Sequence, residues 1–159
     1  MKICYFGAFD LSYTRNNFVR RAFELNDCNV LFCNVPQNWP TYKKILPLIS
    51  QYCQVWRKCD IILVAEFCQT LVPLAWLLAK LTRKSVVFDM VIGLYEASVL
   101  ERCRYPINSF SAKKLYFIDQ MAVWFADRVL TGTEAYRQYL IDEFHATPDK
   151  IQVVPLGVD

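Results

Sequence analysis

Glycine is scarce in this chain: four residues of 159, at positions 7, 93, 132 and 157. The first strand-to-helix loop holds only Gly7. That excludes a G-x-G-x-x-G dinucleotide fingerprint and a G-x-x-x-x-G-K-[ST] phosphate loop, which need several glycines to let backbone close on phosphate oxygens. Histidine is scarcer still. His145 is the only one, so neither a Ser-His-Asp or Cys-His relay nor a zinc constellation can be assembled around it. The seven cysteines, at 4, 28, 33, 53, 59, 68 and 103, form no C-x-x-C pair and read as reduced thiols. No apolar stretch is long enough to span a bilayer. Thr70 to Ala79 is about half of the ~20 residues a crossing helix needs. No secretory leader is legible, because Met1 and Lys2 run directly into Ile3-Cys4-Tyr5-Phe6 with no small-residue cleavage site, so a cytoplasmic location is expected. Basic residues are spread over the chain and the net charge is only +3. A nucleic-acid surface, which needs a concentrated basic stripe, is therefore not expected.

Core material is abundant: 55% of residues are hydrophobic and 15% aromatic, enough for one domain of ordinary size. Short apolar runs bounded by turn formers recur along the chain and read as strands: Ile3 to Phe6, Cys28 to Val35, Asp60 to Ala65, Ser85 to Met90, Arg128 to Gly132 and Ile151 to Pro155. Their near-continuous hydrophobicity is that of parallel strands covered on both faces. Between them lie helical patterns. Phe18, Ala22 and Leu25 share one face, as do Leu115, Ile118, Ala122, Phe125 and Ala126, and then Tyr136, Leu140 and Phe144 behind a Thr133 cap. A further helix is expected from Thr41, kinked or restarted at Pro47. The stretch from Gly93 to Ser111, broken at Pro106, reads as an excursion between the fourth strand and the next helix. Alternating strands and helices define an α/β, Rossmann-like, doubly wound and mainly parallel sheet with helices on both faces.

In such sheets ligands gather at the carboxyl ends of the strands. That rule selects Gly7 to Asn16, Glu66 and Gln69, Asp89 with Gly93, Tyr95 and Glu96, and Thr133 with Glu134. Each has two readings. Arg15 and Asn16 at a helix start meet an anion, or Thr14 is an ordinary cap and Arg15 a solvated side chain. Asp89, ending an apolar strand, faces a cleft or is paired in the interior, since an unpaired carboxylate there costs several kcal/mol. Thr133 and Glu134 fit a helix start with a first-turn acid. Glu66 has no obvious basic neighbour, and both of its readings stay open. His145 reads as a surface residue near a helix C-terminus.

Four stretches, "SYTRNNFVRRAFE" from Ser12, "VVFDMVIGLYEASVLER" from Val86, "ADRVLTGTEAYRQYL" from Ala126 and "TPDKIQVVPLGVD" at the end, give the chain a likeness over most of its length. It resembles the N-terminal half of bacterial family 4 (group 1) glycosyltransferases. The resemblance implies two facing Rossmann-like domains, of which 1–159 is the acceptor-side one. The donor-binding domain is expected beyond Asp159, so this chain alone is expected to be inactive. It also implies sugar transfer from a nucleotide-sugar co-substrate to a glycan or lipid-linked acceptor with retention and without a metal, in polysaccharide biosynthesis. Gly7, Thr14, Arg15 and Asn16 would face the donor phosphates. Asp89 would be catalytic and, with Gly93, Tyr95, Glu96, Thr133 and Glu134, would line the acceptor side. The chain departs from the family pattern in two places. Gly7 stands alone where many relatives carry two glycines, and Phe88-Asp89 stands where many carry His-Asp. Two other outcomes keep the fold: a freestanding subunit binding an acceptor or a membrane surface through Trp76, Leu77 and Leu78 beside Lys80, Arg83 and Lys84, or a non-catalytic interaction module.

Overall fold

The computed structural model describes residues 1–155, so the part of the closing motif at 156–159 lies outside the described residues. Six strands, β1 (Lys2–Gly7), β2 (Asn29–Asn34), β3 (Ile61–Val64), β4 (Ser85–Asp89), β5 (Arg128–Thr131) and β6 (Ile151–Val153), form one sheet. Every pairing is parallel. The order is β2-β1-β3-β4-β5-β6, the variant of the doubly wound fold in which the chain starts inside the sheet, steps outward once, and then crosses β1 to build the other side. Strand composition explains the centre. In β1 every residue after Lys2 is buried, and Ile62, Leu63 and Val64 of β3 are at most 1% exposed.

The connecting helices are α1 (Thr14–Leu25), α2 (Thr41–Val55), α3 (Val72–Thr82), α4 (Phe110–Phe125) and α5 (Glu134–Phe144). Right-handed crossovers put α1 on one face and α2 to α5 on the other, because the chain reverses its direction across the sheet once, after β2. Contacts between successive helices agree: the Tyr52 and Thr82 hydroxyls of α2 and α3 lie 2.6 Å apart, Trp76 of α3 meets Phe125 of α4 edge-on, and Tyr116 of α4 meets Phe144 of α5 likewise.

One local expectation is corrected. Pro47 neither ends nor restarts a helix; α2 runs through it as one element, at the cost of the hydrogen bond that its missing N–H would have made to Lys43. The excursion after β4 contains a π-helical turn, Glu96–Glu101. Of the three apolar residues considered for a lipid surface, Leu77 is 50% exposed, Leu78 is buried and Trp76 is half-buried against Phe125. Among the described residues no helix is long and apolar enough to cross a membrane. His145 is exposed and closes α5 in the left-handed conformation, φ 52°.

Candidate functional site

The switch in winding direction falls between β1 and β3, where the loops leaving the two strands part and open a crevice at their carboxyl ends. Two grooves occupy that edge. One, of about 430 Å³, is lined by Asp10, Ser12, Tyr13, Thr14, Asn16 and Gln37 with Glu66 and Phe67. The other, of about 390 Å³, shares Tyr13, Glu66 and Phe67 and continues past Ile92, Glu96, Arg102, Thr133 and Tyr136.

The loop after β1 is held by its own polar groups. Ala8 N–H donates to Cys68 Sγ (3.2 Å), Phe9 N–H to Asn34 Oδ1 (3.0 Å), and Ser12 N–H and Oγ to Asp10 Oδ1 (both 2.8 Å). Gly7 lies beneath this loop at φ 152°, and a Cβ there would sit 2.7 Å from Cys68 Sγ. The physical demand for glycine is thus close approach by a thiol in a conformation that side chains resist. Thr14 is the first helical residue rather than the cap. Tyr13 holds the cap position, with no side-chain bond. Asn16 is 2% exposed; its Oδ1 accepts from Tyr5 Oη (2.7 Å) and its Nδ2 donates to Asp10 O (2.9 Å). Of the four residues expected to meet a phosphate, Thr14 and Asn16 line the first groove, while Gly7 and Arg15 lie beneath it.

Arg15 turns inward. Its Nε and Nη2 donate to Asp89 Oδ2 and Oδ1 at 3.0 and 2.8 Å, and its Nη1 donates to the Val154 carbonyl at 3.0 Å. Arg15 is 2% exposed and Asp89 fully buried. Of the two readings of Asp89 the paired one describes it: the two residues form one interior ion pair joining α1, the end of β4 and the chain leaving β6. Burial pushes the Asp89 carboxyl up, and the guanidinium draws it back part of the way. Burial opposes the charge on Arg15, but Asp89 outweighs it and the guanidinium is held above its ordinary value. Paired in this way, both charges persist out of water.

Beyond β4 the chain turns at Gly93, which is buried under two side chains. A Cβ there would meet Asp119 Oδ2 at 2.7 Å and Tyr136 Oη at 2.9 Å. Asp119, 1% exposed on α4, accepts from Leu94 N–H (3.0 Å) and Tyr95 N–H (2.8 Å), fixing the turn into the π-helical segment. Burial pushes its carboxyl up to about 6, against the pull of those two donors. Tyr95 is half-buried with its ring edge-on to Tyr116. Glu96 and Thr133 line the second groove. Thr133 also caps α5 as expected, Oγ1 accepting from Tyr136 N–H at 3.1 Å. Glu134 is turned out, 76% exposed and 3.6 Å from Arg137, so its first-turn reading describes it and it is not on the groove wall.

Two residues of this edge escaped the sequence reading. Asp119 holds the turn after Gly93 and Tyr136 lies against Gly93, but their partners are more than twenty positions away in the chain. The only local signal for Asp119 was an acid inside an otherwise apolar helix face. Glu66 was singled out without a role. It is 4% exposed, and its Oε2 is buried with no hydrogen-bond partner among the described residues. Burial pushes its carboxyl up to about 7, Asp89 adds to the rise and Arg15 opposes it.

Sheet order and the helices between the strands define a Rossmann-like α/β fold, with its grooves at the carboxyl edge. No protein-family model and no curated protein matches the sequence. Solved structures do match. All of this chain overlays 44% of Anabaena HepE in complex with UDP-glucose, with a TM-score of 0.59 at 14% identity, and 45% of HepE in complex with UDP and glucose, with a TM-score of 0.58 at 13% identity. Over 99% of its length it overlays 48% of Glycyrrhiza uralensis UGT73P12 complexed with glycyrrhetinic acid 3-O-monoglucuronide, with a TM-score of 0.61 at 10% identity. At these identities the likeness concerns the fold alone, and the chain spans less than half the length of each of those proteins.

Proposed function

We propose that this chain is the N-terminal, acceptor-side half of a bacterial family 4 type glycosyltransferase. The whole protein transfers a sugar from a nucleotide-sugar to a glycan or lipid-linked acceptor, with retention, in polysaccharide biosynthesis. The observation that carries this reading is the overlay of the entire chain on less than half of HepE, whose structures hold UDP, glucose and UDP-glucose. Both grooves of this chain lie on the edge where such folds take their ligands. The other wall of the cleft, with the main donor contacts, belongs to a second domain. Within this half, the Arg15–Asp89 pair acts by positioning the loop after β1 and the turn after β4. The grooves are offered by Thr14, Asn16, Glu66, Glu96 and Thr133.

The test is transfer of label from radiolabelled nucleotide sugars, UDP-glucose first, into glycan and lipid extracts by the complete gene product. Labelled product with release of nucleoside diphosphate is expected, with the donor's anomeric configuration kept. No transfer from any donor overturns the reading, and an inverted product overturns retention. The 159-residue chain alone is expected to transfer nothing.

One observation favours a membrane contact in addition. Phe110, Phe117 and Trp124 are 83%, 57% and 56% exposed at seven-residue spacing on α4, beside the exposed Lys113 and Lys114. An aromatic stripe flanked by lysines suits the surface of an anionic bilayer, such as the cytoplasmic face of a cell membrane. Flotation with anionic but not neutral liposomes is expected, and equal flotation with both counts against it.

A further inference from the structure

The two grooves meet at a waist formed by their shared residues, Tyr13, Glu66 and Phe67. Glu66 is nearly enclosed yet lines both grooves, and its Oε2 lacks a hydrogen-bond partner among the described residues. A buried carboxyl oxygen left unpaired is costly, and the Glu66 carboxyl is the acceptor that both groove walls share. Phe67 follows at φ 58°, a left-handed conformation that is strained for a bulky side chain. Phe67 is 43% exposed and Tyr13 49% exposed. The waist thus offers a hydrogen-bond acceptor together with two open aromatic side chains.

The charges decide what fits. The groove walls carry Asp10, Glu66, Glu96 and Glu101 against one cation, Arg102; Arg15 beneath them is spent on Asp89. An anionic group placed at the waist meets carboxylates, whereas a neutral polyol brings hydroxyl donors to Glu66 and polarised C–H groups to the electron-rich faces of the rings. We infer that the waist of the grooves is a subsite for an uncharged sugar ring, with Glu66 accepting a sugar hydroxyl and Phe67 supplying the stacking face. This deepens the proposed function, on which it rests for its place in a reaction, by naming the part of the acceptor that this half holds. The binding itself stands on the geometry of Glu66 and Phe67.

The test is a titration of the ¹⁵N-labelled 159-residue chain with methyl glucoside, methyl galactoside and methyl mannoside, and with glucose 1-phosphate and UDP as charged probes. At least one methyl glycoside is expected to shift the amides of Tyr13, Glu66 and Phe67, and to bind more tightly than either charged probe. Glu66→Gln, which keeps the volume, and Phe67→Gly, which accepts the backbone conformation without strain, are each expected to weaken that binding about tenfold with spectra still folded. The inference is overturned if no methyl glycoside shifts these amides, if the charged probes bind the waist more tightly, or if neither variant changes the affinity. The same variants in the complete gene product separate the two ideas. Transfer with an unchanged acceptor KM in both variants overturns the subsite and leaves the proposed function. Glycoside binding at the waist in a protein that transfers no sugar does the reverse.

Discussion

Replacing Arg15 by methionine is the most informative change to the framework of the site. The substitution leaves the fully buried Asp89 without the donors at 3.0 and 2.8 Å, and the Val154 carbonyl without the Nη1 donor at 3.0 Å. Removing one partner of a buried pair costs about 3–5 kcal/mol, and the carbonyl bond adds about 1 kcal/mol. A loss of about 4–6 kcal/mol is a large part of the ~5–15 kcal/mol that holds a domain together. The double variant Arg15→Met/Asp89→Leu removes both charges and is expected to recover most of the loss. With Asp89→Leu alone completing the cycle, the coupling energy is expected to reach at least about 3 kcal/mol, the upper end for residues in one network. The pH dependence has a definite sign. Burial already raises the Asp89 carboxyl in the folded state, and removal of Arg15 raises it further above its unfolded value. The folded variant therefore holds its proton more tightly than the unfolded chain. The penalty is absent below the unfolded pKa of about 4 and grows as pH climbs toward the folded one. Urea unfolding followed by intrinsic fluorescence, at about pH 5 and about pH 8, measures all four proteins; the Arg15→Met deficit should be larger at the higher pH. A deficit below about 1 kcal/mol, or no coupling in the cycle, refutes the assignment of this pair as the anchor of the rim.

Gly93→Ala places a Cβ 2.7 Å from Asp119 Oδ2, an overpacking expected to cost about 1–3 kcal/mol in a thermal melt; an unchanged melt contradicts the buried turn. Glu66 is raised from 4.5 to about 7, so the wild type loses stability as pH rises through that window, and Glu66→Gln does not. The variant is expected to match the wild type at about pH 4 and to exceed it at about pH 8 by up to about 3 kcal/mol in urea titrations; equal pH profiles contradict the burial. Thr133→Ala removes the cap on Tyr136 N–H and is expected to cost about 1 kcal/mol in the same titration.

Much of the fold was legible because parallel strands announce themselves. Runs such as Ile62-Leu63-Val64 are apolar on consecutive residues only when both faces are covered, and strand positions read from composition agree with the sheet to within one or two residues. The Thr133 cap was legible because its partner is local. Interactions across the fold left much weaker traces. Nothing beside Arg15 in the sequence shows that its guanidinium turns away from the groove to Asp89, seventy-four positions on. Gly7 looks like a phosphate-loop glycine until Cys68 is seen occupying the space of its missing side chain. Tyr13, not Thr14, takes the cap position because Asp10 pulls the loop into a tight turn through Ser12 and Tyr13 N–H. Pro47 breaks a local rule that tertiary packing of Leu48 and Tyr52, both buried, overrides.

The central claim is that the carboxyl edge of this sheet is one wall of a sugar-transfer cleft. Hydrogen–deuterium exchange of the complete gene product, with and without nucleotide sugar and acceptor extract, addresses it most directly. Slowed exchange at 10–16, 66–67 and 91–97 is the predicted result. Protection confined to the outer faces of α3 and α4, with those three segments unchanged, contradicts it.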